Sequence, residues 1–117
     1  METNVPNIEF MDTADALARI GGNMGLYIRL LGRFIDGNHF DLLENAIASG
    51  DIEEASRQAH TLKGVSANLS LVKINTLTVQ IEHMLKNNED YSQCLDDLRE
   101  AFVLTTAEIT KLTEQGS

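Results

Sequence analysis

Cysteine, proline and tryptophan are nearly missing from this 117-residue chain, which has only Cys94, Pro6 and no tryptophan at all. A lone cysteine excludes an internal disulfide or a cysteine zinc site and fits a reducing compartment, so a cytoplasmic location is expected. With one proline and 5% aromatic residues, a β-sandwich is disfavoured and helices packed through Leu, Ile, Ala and Met are favoured. Cations are scarce too. Nine Lys plus Arg stand against eighteen Asp plus Glu, a net charge of -9, which repels a polyphosphate backbone and argues against a nucleic-acid partner. Apolar runs last only a few residues, against the ~18 to 20 that span a bilayer, and the N-terminus has no basic-then-apolar signal pattern. Membrane insertion is therefore not expected. No GxxxxGK[ST] or GxGxxG pattern occurs, so neither ATP binding nor kinase activity of the chain's own is expected. What is present, 43% hydrophobic residues, suffices for one core.

Gly, Asn, Asp and Ser divide the chain into segments whose apolar residues recur at three and four, the helical period. Residues 1–11 read as a flexible N-terminal segment and residues 12–115 as a single domain. Asp12 or Thr13 can cap a short helix carrying Leu17 and Ile20, and Gly21-Gly22 stops it. After Asn23 comes a stripe of Tyr27, Leu30, Leu31, Phe34 and Ile35, interrupted at Asp36-Gly37-Asn38 by either a kink or a break. Phe40, Leu43, Ala46 and Ile47 extend the apolar face to Ser49-Gly50, and Asp51 with Glu54 makes a capping-box-like start. The next inward face holds Ile52, Ala55, Ala59, Leu62, Val65 and Leu69, with Ser66 beside it. Ser70 can cap the segment carrying Leu71, Ile74, Leu77, Ile81, Met84 and Leu85. After a polar loop at Asn87–Asp90, Tyr91, Leu95, Leu98, Phe102, Thr105, Ile109 and Leu112 alternate in steps of four and three, the seam of an antiparallel bundle. The short connections force sequence neighbours together. An all-α fold follows: an antiparallel four-helix bundle with one or two additional short helices.

One polar face stands out. Turning the Asp51–Leu69 segment at about 100° per residue puts His60 opposite the core stripe, facing water. Ser56 and Arg57 precede it on that face, and Lys63, Gly64, Ala67 and Asn68 follow within two turns. A solvated histidine is usually inert, but a mid-helix glycine costs about 1 kcal/mol relative to alanine and calls for a reason. Either another helix packs on Gly64, or another protein approaches there. Lys63 could hold an ammonium near a phosphoryl group on the imidazole. Folding the chain back at Ser70-Leu71 brings Glu82 level with His60, where its carboxylate could accept the Nδ1 proton and leave Nε2 as nucleophile. Net charge does not describe the local field, and Arg57, Lys63 and Lys73 are the cations expected near the site.

The run His60-Thr61-Leu62-Lys63-Gly64-Val65-Ser66-Ala67-Asn68-Leu69 resembles the signature of histidine-containing phosphotransfer (HPt) domains. Leu26-Tyr27 with Leu31 and Phe34 is similar to the family's earlier helix, and Ile81-Glu82 to its Leu-Glu pair, so the resemblance covers Asp12 to Leu85. By position it implies that His60 is the phosphoacceptor, Lys63 its charge partner, Gly64 the clearance residue and Glu82 the ring-orienting neighbour. Ser56, Arg57, Ala67 and Asn68 then form a docking face. The family usually has glycine where this chain has Ser70, which would alter the turn there.

The resemblance implies a phosphorelay intermediate: His60 takes a phosphoryl group from the phospho-aspartate of a response-regulator receiver domain and passes it to another. Receiver domains or a hybrid sensor histidine kinase are the expected partners. No cofactor is expected on this chain, and Mg²⁺ belongs to the receiver. The competing readings are a helical adaptor that is not phosphorylated and a metal-binding bundle using His39, His60 and His83. The metal reading lacks paired Glu-x-x-His motifs, since Glu82 and His83 are adjacent and diverge by about 100°. A chemotaxis-type phosphoacceptor domain, loaded by a separate kinase domain, is a variant within the phosphotransfer class.

Overall fold

A computed structural model describes residues 9–115, which form six helices in the order α1 (Thr13–Arg19), α2 (Met24–Asp36), α3 (His39–Ala48), α4 (Ile52–Asn68), α5 (Val72–Lys86) and α6 (Ser92–Gln115). No strand occurs among the described residues. Helix starts follow the short polar side chains. The carboxylates or amides of Asp12, Asn23 and Asp51 accept backbone N–H groups three residues on, at 3.1, 3.0 and 3.1 Å, each satisfying an otherwise orphaned donor. The capping box at Asp51 is only half made, because the Glu54 carboxylate turns to Gln58 and Arg57 instead of back to the cap. Between α2 and α3 the chain breaks rather than kinks, with Asn38 in the left-handed region at φ 55°.

Helices α3, α4, α5 and α6 pack as successive neighbours, α2 lies against α6, and α1 against α2. This is an all-α helical bundle with two further helices, as the periodicity predicts. Its core joins Tyr27 and Leu31 of α2, Leu43 of α3, Ala55, Ala59 and Leu62 of α4, Ile74, Leu77 and Ile81 of α5, and Leu98, Ile109 and Leu112 of α6. Ala55 and Ala59 are small, which lets the α4 backbone approach its neighbours closely.

Four expectations need correction. Met11, assigned by sequence to a flexible segment, is 1% exposed and belongs to the core, and the adjacent Asp12 N–H donates to the Ser70 carbonyl at 2.9 Å. Residues 1–8 of that segment lie outside the described residues. Ile35 and Ile52 face solvent; each sits at the end of its helix, where an apolar periodicity continues beyond the surface that covers it. Ser70 does not cap α5, whose N-cap is Leu71 without a side-chain bond. Ser70 instead adopts φ 55° and closes α4, with the Leu71 N–H returning to the Ser66 carbonyl at 2.9 Å. That conformation favours glycine. Here the strained serine is held by its hydroxyl, which donates to the Asp15 carboxylate at 2.7 Å and accepts from the Arg19 guanidinium.

Candidate functional site

The site is built on the α4–α5 hairpin. Because α4 buries Ala55, Ala59, Leu62 and Ser66, its opposite face carries His60 outward, with a side chain 70% exposed. One turn on, the position of Gly64 is open. Among the described residues a Cβ there would meet nothing within 4 Å, so no helix of the bundle explains the glycine. Helix–helix packing at Gly64 is thereby excluded, and its conformational cost is left without an internal return.

Glu82 of α5 rises to the level of His60, as the hairpin register predicts. Its Oε2 is 3.2 Å from His60 Nδ1 and its Oε1 is 2.7 Å from Lys63 Nζ. One carboxylate thus bridges the imidazole and the ammonium. Glu82 is only 17% exposed, and burial alone would push its pKa up. The Lys63 hydrogen bond and, to a lesser extent, that of His60 overcome this and hold the carboxyl below the ordinary carboxylate range. An ionised carboxylate can only accept, so Nδ1 of His60 is the donor in this contact, and in the neutral ring Nε2 is left as the acceptor.

The remaining expected residues divide. Ala67 and Asn68 are exposed along the same helix, Arg57 is exposed and Ser56 is half-buried. The Arg57 guanidinium is paired with Glu54 at 2.7 Å. Lys73 is not brought to the site: it lines a hollow with Leu77 of α5 and Asp97 of α6, its ammonium 4.0 Å from Glu9.

Periodicity did not reveal three supporting residues. Asn75 of α5 donates to the Lys63 carbonyl at 3.0 Å and to Ser66 Oγ at 3.2 Å. Arg19 of α1 donates to the carbonyls of Ala67 and Asn68 at 2.8 and 3.2 Å, capping the C-terminal end of α4. The Tyr27 hydroxyl donates to the Leu69 carbonyl at 2.8 Å. The hairpin register that pairs Glu82 with His60 also sets Asn75 near Ser66, and this was the available signal. For Arg19 and Tyr27 nothing local pointed to α4. An apolar hollow of about 300 Å³ adjoins Asn68, lined by Leu30, Arg33, Phe34, His39 and Val65 among others.

Among the described residues, no group of three or more His, Cys, Asp or Glu side chains could hold a metal ion, and no helix is long and apolar enough to cross a membrane. A family model described as the Hpt domain matches residues 30–115, a span that contains His60, Lys63, Gly64 and Glu82. The chain belongs to the Hpt domain family. No curated protein and no solved structure matches it. Membership makes this Hpt domain a phosphotransfer component of two-component signalling, a class that interacts with response-regulator receivers and histidine kinases. The matched span begins within α2, so α1, which clamps the far end of α4, precedes it.

Proposed function

We propose that this Hpt domain is a relay intermediate, in which His60 accepts a phosphoryl group from the phospho-aspartate of one receiver domain and passes it to another. The observation that carries this reading is an imidazole 70% exposed on a helix, its Nδ1 engaged by a carboxylate and the adjacent Gly64 position open. The lone pair of Nε2 attacks phosphorus as the bond between phosphorus and the aspartyl oxygen breaks, and the aspartate leaves with that electron pair. The ring becomes a phosphorylated imidazolium that keeps its Nδ1 proton. Glu82 faces that proton and stabilises the positive charge. Return transfer reverses the step with a second aspartate as acceptor.

No base is required, because the attacking nitrogen carries no proton. Phosphoryl transfer depends on alignment and charge neutralisation more than on covalent help from the protein. The receiver supplies Mg²⁺ and the opposing carboxylate, Lys63 adds positive charge beside the ring, and the open ground at Gly64, Ala67 and Asn68 admits the receiver's loops. A cytoplasmic setting, where receiver domains and their kinases meet, is part of this proposal. The test is to mix the domain with phosphorylated receiver domains and Mg²⁺. An acid-labile, base-stable phosphate should form on the wild-type chain and not on His60→Gln. Equal labelling of the two proteins would overturn the assignment.

A further inference from the structure

We propose that Asn75 is a positioning residue: it sets the axial register of α5 against α4 and thereby holds Glu82 on His60. This deepens the relay reading, since it concerns the same nucleophile. Apolar burial is non-directional. Ala59 and Leu62 of α4 share one core with Ile74, Leu77 and Ile81 of α5, and the tight turn at Ser70-Leu71 sets the coarse register, but neither fixes the last ångström of slide along the axis. Contacts at Glu82 are sensitive to that slide. A displacement of one residue is about 1.5 Å along the axis, enough to lengthen the 2.7 Å Lys63 contact and to stretch the 3.2 Å His60 contact toward the limit of a hydrogen bond.

Asn75 supplies the missing direction. Its amide has two N–H bonds, and the two acceptors within reach are the Lys63 carbonyl and Ser66 Oγ. The Ser66 hydroxyl in turn donates to the same Lys63 carbonyl at 3.1 Å, so the three groups form a closed triangle in which every donor has an acceptor. Ser66 is fully buried, which strengthens these bonds relative to water. Asn75 and Glu82 are seven residues apart, two turns of one helix face. Both meet the same residue of α4, Asn75 through the Lys63 backbone and Glu82 through the Lys63 ammonium. Lys63 is thus fixed at its root and at its tip by one face of α5.

The experiment is ring ¹⁵N NMR of His60 in the full chain at a pH where the imidazole is neutral, combined with the rate of phosphoryl acceptance. In the wild type the Nδ1–H tautomer should predominate. Asn75→Ala should raise the Nε2–H population several-fold and slow acceptance in proportion to the Nδ1–H fraction lost, at a temperature where circular dichroism shows the helices intact. Ser66→Ala, which removes one of the two acceptors and leaves the Lys63 carbonyl, should shift the tautomer in the same direction by less, and it keeps the test available if Asn75→Ala does not fold. A wild-type tautomer ratio in a folded Asn75→Ala protein would overturn the proposal, as would a wild-type ratio in Ser66→Ala if that is the variant that folds. A tautomer shift in a protein that accepts no phosphate would sustain the positioning role and reject the relay reading, so the two can fail separately.

Discussion

Two stretches of this chain read almost alike: His60-Thr61-Leu62-Lys63-Gly64 on α4 and His83-Met84-Leu85-Lys86-Asn87 at the end of α5. In both, an exposed histidine precedes a buried leucine and a lysine one turn on, and in both a glutamate lies near the ring. The imidazoles are equally open, 70% and 68% exposed. What differs is the surroundings. Glu82 comes from a neighbouring helix, is 17% exposed and is tied to Lys63, whereas Glu89 lies in the loop after α5, 51% exposed and 3.9 Å from His83. Gly64 leaves the ground beside His60 bare, while Asn87 sits against the other ring, its amide nitrogen 3.2 Å from both ring nitrogens. Exposure and a nearby acid are therefore common to both rings. A carboxylate held in place by a second helix and open ground beside the ring distinguish His60 from His83.

The comparison can be broken most directly by exchanging the nucleophiles. His60→Gln should reduce phosphoryl acceptance to the detection limit, whereas His83→Gln should leave it unchanged; labelling with a phosphorylated receiver reads both. Copying the crowded site into the open one is the next largest change. Gly64→Asn should slow transfer by roughly 100-fold, the scale of a misaligned in-line approach, with melting temperature nearly unaltered because a Cβ at position 64 meets nothing. Loss of the held carboxylate comes third. Glu82→Gln should cost about tenfold in transfer rate, equivalent to ~1.4 kcal/mol and close to the lower end of the range of a hydrogen bond to a charged group, while Glu89→Gln should leave the rate as it was.

The smallest effect concerns pH and stability. Lys63 is the chief cause of the depressed Glu82 pKa, which otherwise starts from 4.5. A folded pKa below the unfolded one contributes stability above pH 4.5, and that contribution disappears as pH falls through the folded value. Lys63→Ala should therefore be less stable than wild type at neutral pH, by an amount that shrinks on acidification once Glu82 is protonated in both proteins. Urea unfolding at neutral and acid pH measures the difference. A gap that stays constant with pH would show that Lys63 acts through packing of its stem rather than through the carboxylate.

Much of this was legible along the chain because it depends on near neighbours. Helix starts at Asp12, Asn23 and Asp51 follow from side chains reaching backbone three residues away. His60 and Gly64 share a face because of the helical period, and Glu82 reaches them because a tight turn leaves α5 only one place to lie. The misreadings occur where local signals are incomplete. Ile35 and Ile52 match the apolar period, but burial depends on what covers a position and not on its phase. Ser70 has the chemistry of an N-cap, yet it adopts a left-handed conformation because Asp15 and Arg19, some fifty residues earlier, hold its hydroxyl. Lys73 lies on the far side of α5, where proximity in sequence to the turn does not amount to proximity to the ring.

The amino-acid order by itself determined the helices, their neighbour-to-neighbour packing and which imidazole stands opposite the core stripe, because each follows from periodicity, capping and loop length. Only the tertiary structure decided that Glu82 bridges His60 and Lys63, that none of the described residues occupies the space above Gly64, and that Arg19 and Asn75 bond to carbonyls of the site's helix. Those contacts depend on positions to within an ångström between segments far apart in the chain. Local propensity brings such segments together, but only side-chain packing and directional hydrogen bonds determine where they come to rest.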